Sequence, residues 1–455
     1  MMKKHQFLLF MVGFIVLQPV IDVLTSATLT WTNSPISVGI LLRTFYFFVM
    51  AIFITFMALR SKRGKWYLTY LAGLVIVIVS NIVINMQVKN PYYLMQELSF
   101  FNKAVYFHVM LFGFLLILEE LKRSGIDVKE HVIKLFLSSS VIISFVFIVA
   151  QLTGTSMESY TYSKIGWTGW FYAGNEIGGI MAILVPITAL YAIRKTKTWK
   201  DIIWWLPFVA LSLSMLALGT KVGYAGIIIV LLSALFGSLI LLVLKKDSTF
   251  KLNALMSSLF LGILLVATPF TPVFQNMYAH FDILGLDYSK DKTVEETDGE
   301  EEEPEEISDE QFQNLIFSSR EKYAEDYKEQ FNEAPINQKL IGMGYAGNYE
   351  EPTEIKPLKI IEMDFHDFFY SFGIIGFIYL VSPLLYFTIK YMLRFVMNIK
   401  ERFDYFTIFT GISCLLALGI SFTAGHVLTA PSVSIYLASL LALLIVNSED
   451  TSKKD

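Results

Sequence analysis

Twelve apolar runs long enough to cross ~30 Å of hydrocarbon punctuate this chain, beginning near residues 7, 37, 67, 98, 132, 171, 202, 222, 253, 366, 405 and 427. Nothing else in the sequence constrains the fold as strongly. In lipid a backbone must satisfy its own polar groups, and runs of this length do so as helices. The expected class is therefore all-α, a polytopic transmembrane helical protein of about 12 spans. Composition agrees, because 55% of the 455 residues are hydrophobic and only 17% are charged. A soluble domain carries roughly 25% charged residues. The bilayer is the first partner to expect, and no nucleic acid is implied. The segment MMKKHQFLLFMVGFIVLQPV has the base-then-apolar order of a signal peptide, but no clean small-x-small site follows, so it is read as an uncleaved first helix. The single cysteine, Cys414, rules out an internal disulfide and suits a small apolar filler.

Basic residues orient the spans. They recur in alternate connections: Lys3 and Lys4, then Arg60 to Lys65, Lys122 to Lys129, Arg194 to Lys200, Lys245 to Lys251, Lys390 to Arg402, and Lys453 with Lys454. The intervening short connections hold little base beyond Lys89 and Lys164. This alternation puts both termini in the cytoplasm of a multi-pass cell-membrane protein. It divides the chain into spans one to nine (1–270), one large extracytoplasmic loop (271–361), spans ten to twelve (362–447) and a cytoplasmic tail (448–455). Within the loop, about 282–310 is an acidic low-complexity insert, expected to be solvated and disordered. Calcium binding is the sharper alternative for it. The loop's second half has helix-forming character followed by a glycine-rich turn, and suits a small cap.

Ionisable groups inside spans are costly and normally face a cavity or a partner. On the orientation above, Asp22, Arg43, Lys103, Glu176, Lys221, Asp364, His366, Asp367 and His426 all fall in the outer half of the spans, as do Asn81, Asn85 and Asn175. Alternating-access transport favours a site near the midplane, so this asymmetry points to a pocket open to the outer surface. Cations such as Arg43, Lys103, Lys221 and Arg320 would suit a diphosphate. Each has a plainer reading: Arg43, Lys103 and Lys221 as snorkelling anchors, Asp22 as an ion-pair partner, Glu176 as a helix-start residue, and His108, deeper in span four, as a structural hydrogen-bonding group.

The densest cluster is EMDFHDFFYSFGIIG, residues 362–376. If helical throughout, it places Glu362 and His366 on one face and pairs Asp364 with Asp367. A general base, a cation site and a phosphate-facing gate all remain open; three carboxylates with one histidine could hold a hard divalent ion, although the spacing carries no strong metal signature. Gly373 and Gly376 are read as allowing close helix approach.

Several segments carry a resemblance: GWFYAGNEIGGIMAILVP, LALGTKVGYAGIIIVLLSALFGSL, FSSREKY followed by LIGMGY, EMDFHDFFYSFGIIGF and TAGHVLTAPSVSIYLA. In their order the chain resembles the O-antigen ligase and O-antigen polymerase superfamily, integral-membrane glycosyltransferases of the GT-C type, in a Gram-positive-like branch. The resemblance implies a glycan donor on a polyprenyl diphosphate such as undecaprenyl diphosphate. It implies an acceptor glycan or cell-wall polymer, inverting transfer at the outer membrane face, and no metal or other cofactor. The family's ligases place a histidine ahead of a fixed glycine, and aligning that glycine with Gly373 puts Glu362 in the histidine's place. Glu362, Asp364 and His366 are therefore the candidate catalytic residues. Arg320, by its match to a diphosphate-gripping loop arginine, joins Arg43, Lys221, Lys103, Glu176, Asp367 and His426 as candidate substrate contacts. A flippase or transporter of lipid-linked saccharides is the alternative from another class, and a non-catalytic scaffold is the third.

Overall fold

A computed structural model describes residues 2–32, 36–160, 164–245, 247, 249–283, 320–349 and 358–449. The acidic insert assigned to 282–310 lies almost wholly outside the described residues. The helices in chain order are α1 (Met2–Trp31), α2 (Val38–Ala58), α3 (Lys62–Val88), α4 (Leu94–Arg123), α5 (Val128–Leu152), α6 (Gly174–Lys195), α7 (Leu206–Leu218), α8 (Lys221–Lys245), α9 (Thr249–Ala267) and α10 (Pro272–Ile283). After the loop come α11 (Arg320–Glu333), α12 (Ile336–Ile341), α13 (Asp364–Met397), α14 (Ile399–Arg402), α15 (Tyr405–Thr423) and α16 (Pro431–Ser448). Twelve of the described helical stretches are long and apolar enough to cross a membrane. A short antiparallel hairpin joins β1 (Met157–Glu158) to β2 (Trp167–Gly169) ahead of α6.

Some helices outrun their apolar stretches. α3, α4 and α5 begin at residues 62, 94 and 128, because their charged first turns continue the helix beyond the apolar core. α6 and α16 instead start late, at 174 and 431, after non-helical backbone that carries part of the candidate site. Between 83 and 89% of the apolar windows of α4, α6 and α16 is buried, which makes these three the inner rods of the bundle. At one end, the last turn of α16 is held by side chains from three neighbours. Arg63, Lys390 and Arg394 pair with Glu449, and Lys122 Nζ donates to the carbonyls of Val446 and Glu449. The opposite end, the loop face, carries α11 and α12.

α13 is not one continuous helix. Gly373, at φ 65° and ψ −173°, interrupts it, and the carbonyls ahead of the break need other donors. The chain from the loop supplies them: Met343 N–H donates to Tyr370 O at 2.9 Å and Gly344 N–H to Ser371 O at 3.0 Å. On α3, Asn81 Nδ2 donates to Ile341 O and Ser371 O, and Asn85 Nδ2 to Gly342 O. The two asparagines are thus engaged with backbone and do not face an open pocket. A Cβ on Gly342 would fall on Ser371 O, and one on Gly373 would approach the Gly342 nitrogen to 2.5 Å. Gly373 therefore makes a helix break into which the backbone of the loop is inserted, whereas Gly376 does permit close approach, to Val77 of α3.

A second irregularity follows at Pro383, which cannot donate to Tyr379 O. Tyr70 Oη and Ser382 Oγ donate to that carbonyl, and His108 Nε2 lies 2.8 Å from Leu380 O. His108 is accordingly a structural hydrogen-bonding group. Over the loop end of α13, Tyr327 and Phe331 of α11 form a small buried cluster with Met343, Ile361, Met363 and Tyr370. Helix α11 and the chain around Met343 thus cap the start of α13 through their own apolar contact.

Candidate functional site

The site is built where the start of α13 meets the turn between α15 and α16. Asp364, the first residue of α13, is fully buried and accepts five hydrogen bonds. Its Oδ2 takes them from Ser421 Oγ and the backbone N–H groups of Val427 and Leu428, at 2.8–2.9 Å. Its Oδ1 takes them from His426 N–H at 3.1 Å and Thr429 Oγ1 at 2.5 Å. A carboxylate has about four lone-pair positions, so Asp364 has none left over. Three consecutive backbone N–H groups converging on one anion form a nest, the arrangement that αL residues such as Gly425 and His426 favour. Asp367, also buried, accepts from Ile361 N–H at 2.8 Å and Met363 N–H at 3.1 Å.

The two aspartates therefore fix everything around Glu362 and His426. Both of those residues have left-handed backbones, at φ 67° and 59°. Such conformations cost of order 1–3 kcal/mol in a non-glycine residue and persist where the surroundings dictate them. Gly425 lies against Glu362, because a Cβ there would meet the Glu362 carbonyl. In this geometry His426 Nε2 lies 3.7 Å from Glu362 Oε2, Arg320 Nη2 donates to the same oxygen at 3.4 Å, and Lys359 Nζ is 3.9 Å from Oε1. The Glu362, His426 and Arg320 side chains are 27, 25 and 17% exposed, so this group opens toward solvent while its supports are sealed.

Electrostatics separate the pair's charges. The neighbouring His426 holds the Glu362 carboxyl below the ordinary carboxylate range against the opposing effect of burial, and Lys359 and Arg320 act in the same direction. Burial disfavours a charged His426, but the Glu362 carboxylate, with Asp364 and Glu176, outweighs it and raises the imidazole above its ordinary value of 6.5.

Around this centre the other expected residues divide. Glu176, in the first turn of α6, hydrogen-bonds Ser432 Oγ and lies within electrostatic reach of His426 on one side and of Asp22 and Arg43 on the other. Arg43 pairs with Asp22 at 2.5 Å and donates through Nε to Gln18 Oε1. A polar seam thus runs from Glu362 through His426 and Glu176 to Arg43. Lys103 is exposed and makes no ion pair with a described residue. Lys221 opens α8 within electrostatic reach of Lys164. His366 packs beside Phe422, with a buried Nδ1 that has no hydrogen-bond partner among the described residues.

The pairing expected for a continuous helix does not occur. α13 begins at Asp364, and Glu362 precedes it in a left-handed turn, so Glu362 and His366 share no helical face. Glu362 meets His426 instead, from the turn before α16. Asp364 and Asp367 do not bind one another; each gathers a separate set of backbone donors. Lys359 was not anticipated, and its only sequence signal is its position three residues before Glu362. Lys89 and Glu97 were also unforeseen as a pair, although Lys89 stands out as a base in a connection that otherwise lacks them. Among the described residues, no group of three or more His, Cys, Asp and Glu side chains is arranged to hold a metal ion.

No curated protein matches the sequence. One family model does, that of the O-antigen ligase like membrane proteins, and its match extends over residues 3–451. With the twelve apolar helices, a match of that extent assigns a membrane protein of a glycosyltransferase-type family. The chain belongs to the O-antigen ligase like membrane protein family.

Proposed function

We propose that this protein transfers or polymerises a glycan from a polyprenyl-diphosphate donor onto an acceptor hydroxyl, with inversion, at the outer face of the cell membrane. The observation that carries the reading is the Glu362–His426 couple: a carboxylate and an imidazole in enforced left-handed conformations, flanked by Arg320 and Lys359 in a partly open site. The segment 271–361 is then extracytoplasmic, its helices α11 and α12 form a partial lid, and both termini are cytoplasmic.

The acceptor oxygen attacks the anomeric carbon while the bond from that carbon to the diphosphate oxygen breaks. The bonding pair leaves with the polyprenyl diphosphate, whose developing charge faces Arg320 and Lys359. The hydroxyl proton passes to the His426 nitrogen turned away from Glu362, and the Glu362 carboxylate stabilises the resulting imidazolium. Asp364, with its acceptor positions filled, and Asp367 hold the couple in place. Arg43 and Glu176 extend the polar lining for sugar or acceptor groups, Lys103 and Lys221 remain proposed contacts for the lipid-linked donor, and His366, a catalytic candidate by sequence, takes no part in the Glu362–His426 couple.

The test is reconstitution in liposomes with a synthetic polyprenyl-diphosphate oligosaccharide and candidate acceptors. Release of polyprenyl diphosphate with a newly attached or lengthened glycan supports the reading, and the product ladder separates ligase from polymerase. Arg320→Gln should raise the KM for the donor by about tenfold, corresponding to one charge-assisted contact. Movement of intact donor between leaflets without release would make the protein a flippase.

A further inference from the structure

Lys89 and Glu97 form an ion pair at 2.7 Å with side chains only 1 and 0% exposed. Burying two charges costs several kcal/mol per ion, and such a pair is weak evidence of stabilisation, since apolar residues often do as well. These two groups also do more than neutralise each other. Lys89 Nζ donates to Tyr345 O at 2.9 Å, and Glu97 Oε2 accepts from Tyr345 N–H at 2.6 Å. One residue of the loop is therefore gripped at both backbone polar groups, each by the side chain of complementary polarity. Gly344 is needed beside it, because a Cβ there would approach both Glu97 carboxylate oxygens to 2.7–2.9 Å. Two residues earlier, Met343 is fully buried, shares the apolar cluster of Ile361 and Met363, and bonds to Tyr370 O. Ile361 and Met363 are the neighbours of Glu362.

We propose that the Lys89–Glu97 pair is a positioning device for Glu362, acting through the Tyr345 backbone and Met343 to hold the Glu362 turn against the start of α13. The proposal rests on the glycosyl-transfer reading for its effect on rate, though not for its effect on structure. An apolar pair of equal volume would avoid the desolvation cost, but it could not hold a turn residue by both its N–H and its C=O.

The test uses the full chain in liposomes with the same donor. The double exchange Lys89→Glu with Glu97→Lys keeps an ion pair, yet presents an ammonium to the Tyr345 N–H and a carboxylate to its C=O. A merely structural pair would tolerate the exchange, whereas a backbone clamp would not. The expected result is a fall in kcat of about a hundredfold, with the donor KM changed by no more than about threefold, as a small misplacement of a reacting group produces. A background of Cys414→Ala with Ala346→Cys adds a readout independent of turnover: the introduced thiol, at a buried position, should react faster with maleimide once the exchange is made. If the exchanged protein does not accumulate, Lys89→Met with Glu97→Leu carries the same test, since an apolar pair of similar volume suits a merely structural role but leaves both Tyr345 backbone groups without these partners. Normal kcat or unchanged thiol labelling in the tested variant overturns the proposal. Absence of transfer by the unsubstituted protein would overturn the function, leaving thiol labelling to judge the clamp.

Discussion

Asp364→Asn separates an anchoring carboxylate from a catalytic base. In the native site Asp364 receives five hydrogen bonds, three of them from consecutive backbone N–H groups. An asparagine keeps one acceptor oxygen and places an NH2 group where the other oxygen was. Its better orientation leaves the amide facing His426 N–H and Thr429 Oγ1, so the backbone donor of His426 is orphaned. An unsatisfied buried donor costs ~1–3 kcal/mol, and the remaining three bonds each lose about 0.5–1 kcal/mol with the charge, for a total of about 4 kcal/mol. At an unfolding entropy of ~2 cal/mol/K per residue, that lowers the melting midpoint by about 4 °C. Cys414 provides the assay, because it is the chain's one thiol and is buried in α15, the helix whose Ser421 binds Asp364. A thiol-reactive dye followed during heating should report the earlier transition, accompanied by reduced transfer as His426 loses its backbone anchor. A variant that melts normally but cannot transfer would refute this reasoning and make Asp364 a base.

Transfer should rise with pH through a midpoint above 6.5, since His426 must be neutral to take the proton and Glu362 raises its pKa; Glu362→Gln should move that midpoint down and lower kcat, as measured by initial rates. The pair's contribution to stability has the opposite edge. The raised His426 contributes most at low pH and loses its share as pH rises through its folded pKa, while the lowered Glu362 loses its share as pH falls through its own, so melting at several pH values should show an optimum between them. Gly373→Ala should fail to accumulate or melt well below the native protein, because a left-handed φ of 65° and the Gly342 nitrogen both oppose a side chain; normal melting would refute the inserted-loop reading.

Span number was readable from sequence because hydrocarbon thickness sets a minimum apolar length, and lysine and arginine mark the alternation. The cluster at 362–367 was conspicuous for a related reason: so many ionisable groups at a span entrance demand partners. Their partners were not readable. Asp364 and Asp367 look alike in sequence, yet one gathers the turn of residues 426–429 and the other the backbone on either side of Glu362. Asn81 and Asn85 resembled pocket residues because nothing local says that a loop some 260 residues later will lay its carbonyls against them. A helical projection joined Glu362 to His366, and the positive φ at Glu362, which that projection cannot anticipate, turned it toward His426 instead.

The burial of α16 carries a consequence for how the molecule is made. Of the twelve apolar helices it is the last in chain order, and it has the largest buried share. Spans delivered to the bilayer from the amino end onward therefore leave the faces of α4 and α6 that α16 covers without that partner until it arrives. The turn that satisfies Asp364 also arrives just before α16, so the polar face at the start of α13 remains unmatched until then. A chain stopped before residue 426 would present eleven of the twelve apolar helices and would lack both the turn that satisfies Asp364 and the helix that follows it.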